Sequence, residues 1–232
     1  NQSLLEHSAI DVVATATSGT NHIDTNWLES NNITWFDAKG CNAVSVSDYT
    51  SSCIAWLEQK HLLGGKKIAI IGMGYVGQEN FSRLTRLGFQ CLVYDPPRQA
   101  REENFRSHQL EEIYQADVIL LNCNYHQDEP DSSHHLINHQ FLDYIKPNVA
   151  IINTARGEIV DENAIIANSH KIHYLTDVYQ NEPDINVDIV NMASICTPHI
   201  AGHSRDAKYK GIQIVSKKIH SFFNLPLPSY PS

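Results

Sequence analysis

A chain of 232 residues, 42% apolar and 19% charged, is long enough for one large domain or two small ones and apolar enough to bury a core, which excludes wholesale disorder. Its 17 basic and 26 acidic residues leave a net charge of −9 with no Lys/Arg cluster, which argues against a nucleic-acid partner. No apolar run reaches membrane-span length, the polar Asn1–Glu6 does not read as a signal peptide, and five scattered cysteines without a CxxC pair read as free thiols in a reducing cytoplasm.

In chain order, Val12–Thr17 is a short β-rich run closed by a Ser-Gly-Thr-Asn turn, and Asn31–Phe36 is a second short strand. Ala43–His61, free of Pro and Gly, reads as a helix carrying Val44, Ala55, Trp56 and Leu57, stopped by Gly64-Gly65. Ile68–Ile71 is continuously apolar, as suits a strand covered on both faces of a parallel sheet. It enters Gly72-Met-Gly-Tyr-Val-Gly77 and a helix with Phe81, Leu84 and Leu87 at helical spacing, ended by Gly88. Strands follow at Cys91–Tyr94, Val118–Leu121, Val149–Ile152, His173–Val178 and Ala193–Cys196. Helices are expected at Leu110–Gln115, Phe141–Ile145 and Asn163–Asn168, and Asp95-Pro-Pro closes the strand before it. This alternation predicts a doubly wound α/β fold with a parallel sheet. The tail Gly202–Phe223 reads as a helix with Ile212, Val215, Ile219 and Phe222 on one face, beyond which Pro226, Pro228 and Pro231 forbid more helix.

The glycine-rich turn sits between an apolar strand and a helix, with Asp95 at the end of the next strand. That context makes it a dinucleotide-binding pattern. Gly72 permits the tight turn, Gly74 lets a pyrophosphate approach the backbone, and Gly77 lets helix and strand pack closely. The helix N-terminus, at Tyr75 and Val76, presents free N–H groups to the phosphates. Asp95 would accept ribose hydroxyls and repel a 2′-phosphate, which favours NAD over NADP. An unliganded turn, a flavin site and an S-adenosylmethionine site fit the same pattern.

Three further segments lie at the C-terminal ends of successive strands, where open α/β sheets place their ligands: Asn153–Asp161, Asp177–Pro183 and Thr197–Gly202. Arg156, Glu182 and His199 could therefore converge on one cleft, although each taken singly suits a surface ion pair, a solvated loop or a satisfied histidine.

In these segments the sequence resembles the D-isomer-specific 2-hydroxyacid dehydrogenases, from about Val12 to Phe223. Within that family it looks most like the branch acting on 4-phosphoerythronate in vitamin B6 biosynthesis. The supporting residues are Thr15–Thr17 with Gly19-Thr20, Gly40–Ala43, Asp95–Arg98, Glu182–Asn186 and His199–Gly202. The resemblance implies a Rossmann NAD-binding domain over residues 43–202 and a partial flavodoxin-like substrate domain over 1–42 and 203–232. It implies His199 as the proton carrier at the substrate C2 hydroxyl, Glu182 as its partner, and Arg156 on the substrate carboxylate. Cys123, Thr154, Asp177 and Gly202 would line the cofactor, with Asp177 at the nicotinamide amide. Thr17 and His203 would meet a phosphorylated hydroxy acid. A cytoplasmic homodimer is implied as well. Other 2-hydroxy acids (glycerate, 3-phosphoglycerate, hydroxypyruvate) and a NAD-sensing regulator of the same fold are the alternatives.

The sequence departs from the family where Asn122–Tyr125 replaces a His-x-Pro segment, where His203 replaces a tyrosine, and where Tyr179 replaces a tryptophan. The absence of a starting Met, and of the family's outer segments, leads us to expect a piece of a longer chain. His126, Asp128, Glu129, His134, His135 and His139 crowd one region around Pro130, which reads as a solvated loop, and no metal is expected.

Overall fold

Runs of consecutive apolar residues become central strands in the computed structural model, which describes residues 2–5 and 8–230. The chain divides into two units, Asn1–Ser45 with Gly202–Ser232, and Val46–Ala201. The first opens with α1 (Gln2–Leu5), β1 (Val12–Ala14), α2 (Thr25–Ser30) and β2 (Thr34–Phe36), and α3 (Ala43–Gln59) runs from it into the second. The second continues with β3 (Lys67–Ile71), α4 (Tyr75–Arg86), β4 (Gln90–Tyr94), α5 (Pro96–Arg101) and α6 (Leu110–Ile113). It completes with β5 (Val118–Leu121), α7 (His139–Tyr144), β6 (Val149–Asn153), α8 (Glu162–Ala167), β7 (Ile172–Thr176), α9 (Val187–Met192) and β8 (Ile195–Cys196). Helix α10 (Arg205–Phe222) belongs to the first unit.

The six strands of the second unit form one parallel sheet in the order β4-β3-β5-β6-β7-β8. Residues 68–71 and 118–121 are buried along their whole length because helices cover both faces of the sheet. Each fully buried Ile or Leu there stabilises the fold by about 1.5–3 kcal/mol. One core gathers Ile71, Leu121, Ile151 and Tyr174, and the other gathers Ile70, Leu120, Ile152 and Leu57. The order reverses direction between β3 and β5, and the C-terminal ends of all six strands point the same way, as a doubly wound sheet requires.

In the first unit β1 and β2 pair in parallel, Val12 with Thr34 through Ala14 with Phe36. Beyond the paired strands, residues 15–17 keep two more backbone bonds to the β2 side, Thr15 N to Phe36 O and Ala38 N to Thr17 O. Helix α10 lies close to this layer, since a Cβ at Gly211 would come within 2.4 Å of Ala16 O. Buried Asp37 accepts a hydrogen bond from Lys218 Nζ at 3.1 Å. Burial pushes the Asp37 carboxyl up, but the Lys218 hydrogen bond and the Lys39 and Lys218 charges outweigh it and hold the group below its ordinary range.

Several expected faces are corrected. Helix α4 buries Gly77, Asn80 and Leu84, so Phe81 falls one position off the face, and Leu87 caps the helix with 62% exposure. Helix α10 buries Ala207, Gly211 and Val215, which turns Ile212 outward. In α3, Leu57 is buried while Val44 and Ala55 are exposed, because Thr50, Cys53, Ile54 and Leu57 define the inner stripe. Asp95-Pro-Pro does not merely end a strand. Asp95 caps α5, whose first residues are the prolines, a position where a missing N–H costs nothing. Of the opening segment, Gln2–Leu5 is a helical turn, and Asn1 and Glu6 lie outside the described residues, as does Pro231. Among the described residues no helix is long and apolar enough to cross a membrane.

Candidate functional site

A cleft of about 840 Å³ opens where the sheet order reverses, lined by the β3–α4 turn, by Tyr94 and Asp95 after β4, and by Asn122–Tyr125 after β5. Three glycines build it, each for a different reason. Gly72 has φ +93°, and a Cβ there would sit 2.5 Å from the Cys123 backbone, so the turn lies directly on the β5 end. A Cβ at Gly77 would come 2.0 Å from Gly72 O, so α4 closes onto the turn only with glycine. A Cβ at Gly74 would meet nothing within 4 Å, so the missing side chain leaves open space at the α4 N-terminus. Two glycines needed for packing and one needed only for emptiness fit a dinucleotide pyrophosphate. At the start of α4, Tyr75 is exposed and Val76 half-buried.

Asp95 stands at the cleft wall. One carboxylate oxygen accepts from Met73 N at 2.7 Å and the other from Arg98 N at 3.0 Å, which leaves each oxygen further acceptor capacity for a ribose hydroxyl. Arg98, part of the family resemblance but with no role assigned from sequence, donates to Met73 O at 2.7 Å and to Glu102 at 2.8 Å and lies 4.6 Å from the Phe105 ring centroid, so it straps α5 to the glycine turn. Cys123 also lines the cleft, and burial pushes its thiol up to about 12, which keeps it protonated and unreactive.

The loops after β6, β7 and β8 carry the other expected residues. Asn153, fully buried, accepts from Ala155 N at 3.1 Å and donates to Arg156 O at 3.0 Å, and so shapes the turn that presents Arg156; half-buried Thr154 lies within it. The Arg156 guanidinium donates to Ala155 O at 2.7 Å. Next along, Gly157 packs on the following loop, where a Cβ would come 2.0 Å from Tyr179 C.

Glu182 Oε1 accepts from Tyr179 N at 2.8 Å, and Glu182 Oε2 accepts from His199 Nδ1 at 2.7 Å. With its Nδ1–H donated to the carboxylate, a neutral imidazole has Nε2 as its acceptor. His199 has φ +56°, an uncommon conformation for a residue other than glycine, and its neighbours over-determine it. Asp177, 1% exposed, accepts from Thr197 Oγ1 at 2.6 Å, from Ile200 N at 2.8 Å and from Ala201 N at 2.7 Å. Those three donors occupy most of the carboxylate's roughly four acceptor positions, so at most about one faces a cofactor amide. Because the Thr197 hydroxyl donates to Asp177, the Tyr49 hydroxyl 2.7 Å away must donate to Thr197; burial raises Tyr49's pKa and secures that role. Tyr179, standing for the family's tryptophan, donates its hydroxyl to Thr197 O at 3.0 Å.

Thr17, Gly202 and His203 belong to the first unit. Thr17 donates to Gly19 O at 2.7 Å and therefore accepts from Thr15 Oγ1, also at 2.7 Å. A Cβ on Gly202 would press on Asn42 at 2.5 Å, and His203 is exposed. The histidine-rich stretch is a loop in which the His134 and His135 rings stack at 3.9 Å; among the described residues no three His, Cys, Asp or Glu side chains gather as a metal site. All five cysteines are free thiols. Tyr49, Thr197 and Arg98 have no role assigned from sequence, because their hydrogen bonds run between distant segments for which no local pattern exists.

Comparison with known proteins agrees with this geometry. The family model of the D-isomer specific 2-hydroxyacid dehydrogenase NAD binding domain matches residues 52–201. Erythronate-4-phosphate dehydrogenase of Legionella pneumophila is 47% identical over 230 residues, covering 99% of this chain and 66% of that protein. The Coxiella burnetii enzyme of the same name is 37% identical, covering 97% of this chain and 62% of that protein. The chain thus spans about two thirds of the length of these curated relatives. The D-lactate dehydrogenase of Aquifex aeolicus, solved with NAD and lactic acid, superposes with a TM-score of 0.78 at 23% identity over 97% of this chain and 80% of that one. The apo D-mandelate dehydrogenase of Rhodotorula graminis gives 0.78 at 22% identity over 100% of this chain and 78% of that one. With the glycine turn, Asp95 after β4 and the Glu–His pair in place, the chain belongs to the D-isomer specific 2-hydroxyacid dehydrogenase family.

Proposed function

We propose that this chain is the NAD-binding, catalysis-bearing part of an oxidoreductase that converts 4-phospho-D-erythronate to its 2-oxo acid in vitamin B6 biosynthesis. The observation that carries this reading is the Glu182–His199 hydrogen bond at the strand ends of a dinucleotide-type sheet. The identity to erythronate-4-phosphate dehydrogenases supports the choice of substrate. In this reading residues 43–202 form the cofactor domain, and residues 1–42 with 203–232 form part of the substrate domain. Thr17 and His203 contact substrate, Gly202 and Thr154 border the cofactor, and the protein is a cytoplasmic homodimer.

Bound NAD supplies the hydride acceptor; everything else falls to the chain. Gly72, Gly74 and Gly77 with the α4 N-terminus at Tyr75 and Val76 hold the pyrophosphate, Asp95 the ribose, Cys123 the cleft wall, and Asp177 offers its remaining acceptor position to the nicotinamide amide. Arg156 holds the substrate carboxylate with its planar donor fork. His199 Nε2 takes the proton of the C2 hydroxyl, and Glu182, already on Nδ1, stabilises the imidazolium that forms.

The test is NADH formation by the full-length protein across 4-phosphoerythronate, 3-phosphoglycerate, glycerate and lactate. A preference for 4-phosphoerythronate is expected. Preference for another acid would discard the substrate and keep the mechanism. NADH binding without turnover on any acid would favour a NAD-sensing regulator, and light scattering checks the dimer.

A further inference from the structure

The segment Tyr179–Glu182 carries the carboxylate that meets His199, and its shape depends on what grips Gln180 in its middle. The Gln180 backbone N–H donates to Glu162 Oε1 at 3.0 Å. The Gln180 side-chain nitrogen lies 2.7 Å from Val160 O and 2.9 Å from His135 Nε2. Val160 O accepts only, so the nitrogen, not the oxygen, of the amide must face it, with its second hydrogen on His135. His135 therefore accepts at Nε2 and carries its proton on Nδ1. A turned-over amide would oppose two carbonyl oxygens. From the other side Gly157 presses on the same segment, with no room for a Cβ against Tyr179 C at 2.0 Å. Immediately before Gln180, Tyr179 N donates to Glu182 Oε1. None of Glu162, His135 or Gln180 lines the cleft of the glycine turn, yet together they fix the backbone that delivers Glu182.

We propose that Gln180, clamped by Glu162, Val160 and His135, is a positioning residue that sets the Glu182 carboxylate on His199 Nδ1 and so decides which imidazole nitrogen is free to take a substrate proton. This rests on the roles given above to Glu182 and His199. The chain of contacts is continuous: Glu162 and His135 to Gln180, the adjacent Tyr179 N–H to Glu182, and Glu182 to His199. The imidazole tautomer is set by the hydrogen bond at its other nitrogen, so loosening the clamp frees it to carry its proton on Nε2, where it cannot act as a base.

The first measurement is ¹⁵N NMR of the His199 ring at pH 8 in the full-length protein, which does not need turnover. The wild type should show an Nδ1–H ring, and both Gln180→Ala and Glu182→Leu should show a ring shifted toward Nε2–H. Turnover gives the second readout. Gln180→Ala should lower kcat on the order of tenfold with KM and NADH affinity nearly unchanged, and should add nothing further in a Glu182→Leu background. Glu162→Gln keeps the acceptor and should stay within about twofold of wild type, whereas Glu162→Leu should behave like Gln180→Ala. The proposal is overturned if the His199 ring keeps its Nδ1 proton in Gln180→Ala, or if Gln180→Ala lowers kcat equally in both backgrounds. A wild type without turnover would instead strike at the dehydrogenase reading and leave the NMR result to decide the clamp.

Discussion

Gly74→Ala separates the cofactor role of the glycine turn from its structural role. Gly74 caps α4 with φ −71° and ψ −159°, a conformation any residue adopts, and a Cβ there meets nothing within 4 Å. Replacing Gly by Ala at a compatible position gains about 0.4–1 kcal/mol through the unfolded chain. Ala is the poorer cap, which offsets much of that gain. Stability should therefore change by less than about 1 kcal/mol. The methyl group, however, fills the space a pyrophosphate oxygen must enter to reach the α4 N–H groups. Each hydrogen bond to a charged group contributes about 1.5–3 kcal/mol. Losing one weakens NADH binding about 10- to 100-fold. Fluorescence titration of NADH beside thermal melting reads both quantities. Gly77→Ala is the contrast: its Cβ, 2.0 Å from Gly72 O, should lower both stability and affinity. Unchanged NADH affinity in Gly74→Ala would refute the assignment of that space to the cofactor. So would a loss of affinity matched by a loss of fold.

Three further outcomes follow from buried groups. Asp177→Asn puts an amide N–H against Ala201 N–H or against Ile200 N–H, and should cost about 1–3 kcal/mol in urea unfolding and loosen the loop against proteolysis; unchanged stability would mean that the loop is not anchored there. Lys218→Met removes the Nζ hydrogen bond to the Asp37 carboxylate and leaves the Lys39 ion pair at 3.4 Å. Because that carboxyl is held below its ordinary range, the pair stabilises above about pH 4 and the benefit fades as pH falls through the lowered value, so wild type and variant should converge in acid. Glu162 is the opposite case: burial raises its carboxyl, so the folded state holds a proton more tightly than the unfolded chain and stability falls as pH rises from about 4.3 through the raised value. Glu162→Gln should abolish that decline, and a wild-type-minus-variant stability difference that stays flat from pH 4 to 7 would contradict it.

Strands were legible where burial on both faces leaves no polar residue: Val118–Leu121 was bounded as found, and Ile68–Ile71 missed only Lys67. Short elements were not. Thr25–Ser30, Pro96–Arg101 and Val187–Met192 each span less than two turns, too little for a period to declare itself, and their caps Asp24, Asp95 and Asn186 look like ordinary turn residues. Helix faces failed by one position where a glycine or a cap, rather than a large side chain, makes the contact, as at Gly211 and Leu87. At the site, the turn built by Gly72, Gly74 and Gly77 and the place of Asp95 beside it were legible from their spacing along the chain. The strand-end places of Glu182 and His199 were legible from the strand–helix alternation and their pairing through family resemblance, whereas the partners of Tyr49 and Gln180 were not legible, since the fold sets them.

Beside the side-chain bonds of Thr197 and His199, the loop that presents His199 is held by main-chain atoms: the Ile200 and Ala201 amides donate to Asp177, and the Thr197 carbonyl accepts from the Tyr179 hydroxyl. Amides and carbonyls are the same whatever side chain they carry. Ile200, 48% exposed, can therefore be exchanged for residues of other size or polarity without moving the imidazole. Mutational drift or laboratory evolution at such a position changes the surface beside His199 while the hydrogen bonds that hold the Glu182–His199 pair stay in register, a separation between what a loop displays and what keeps it in place.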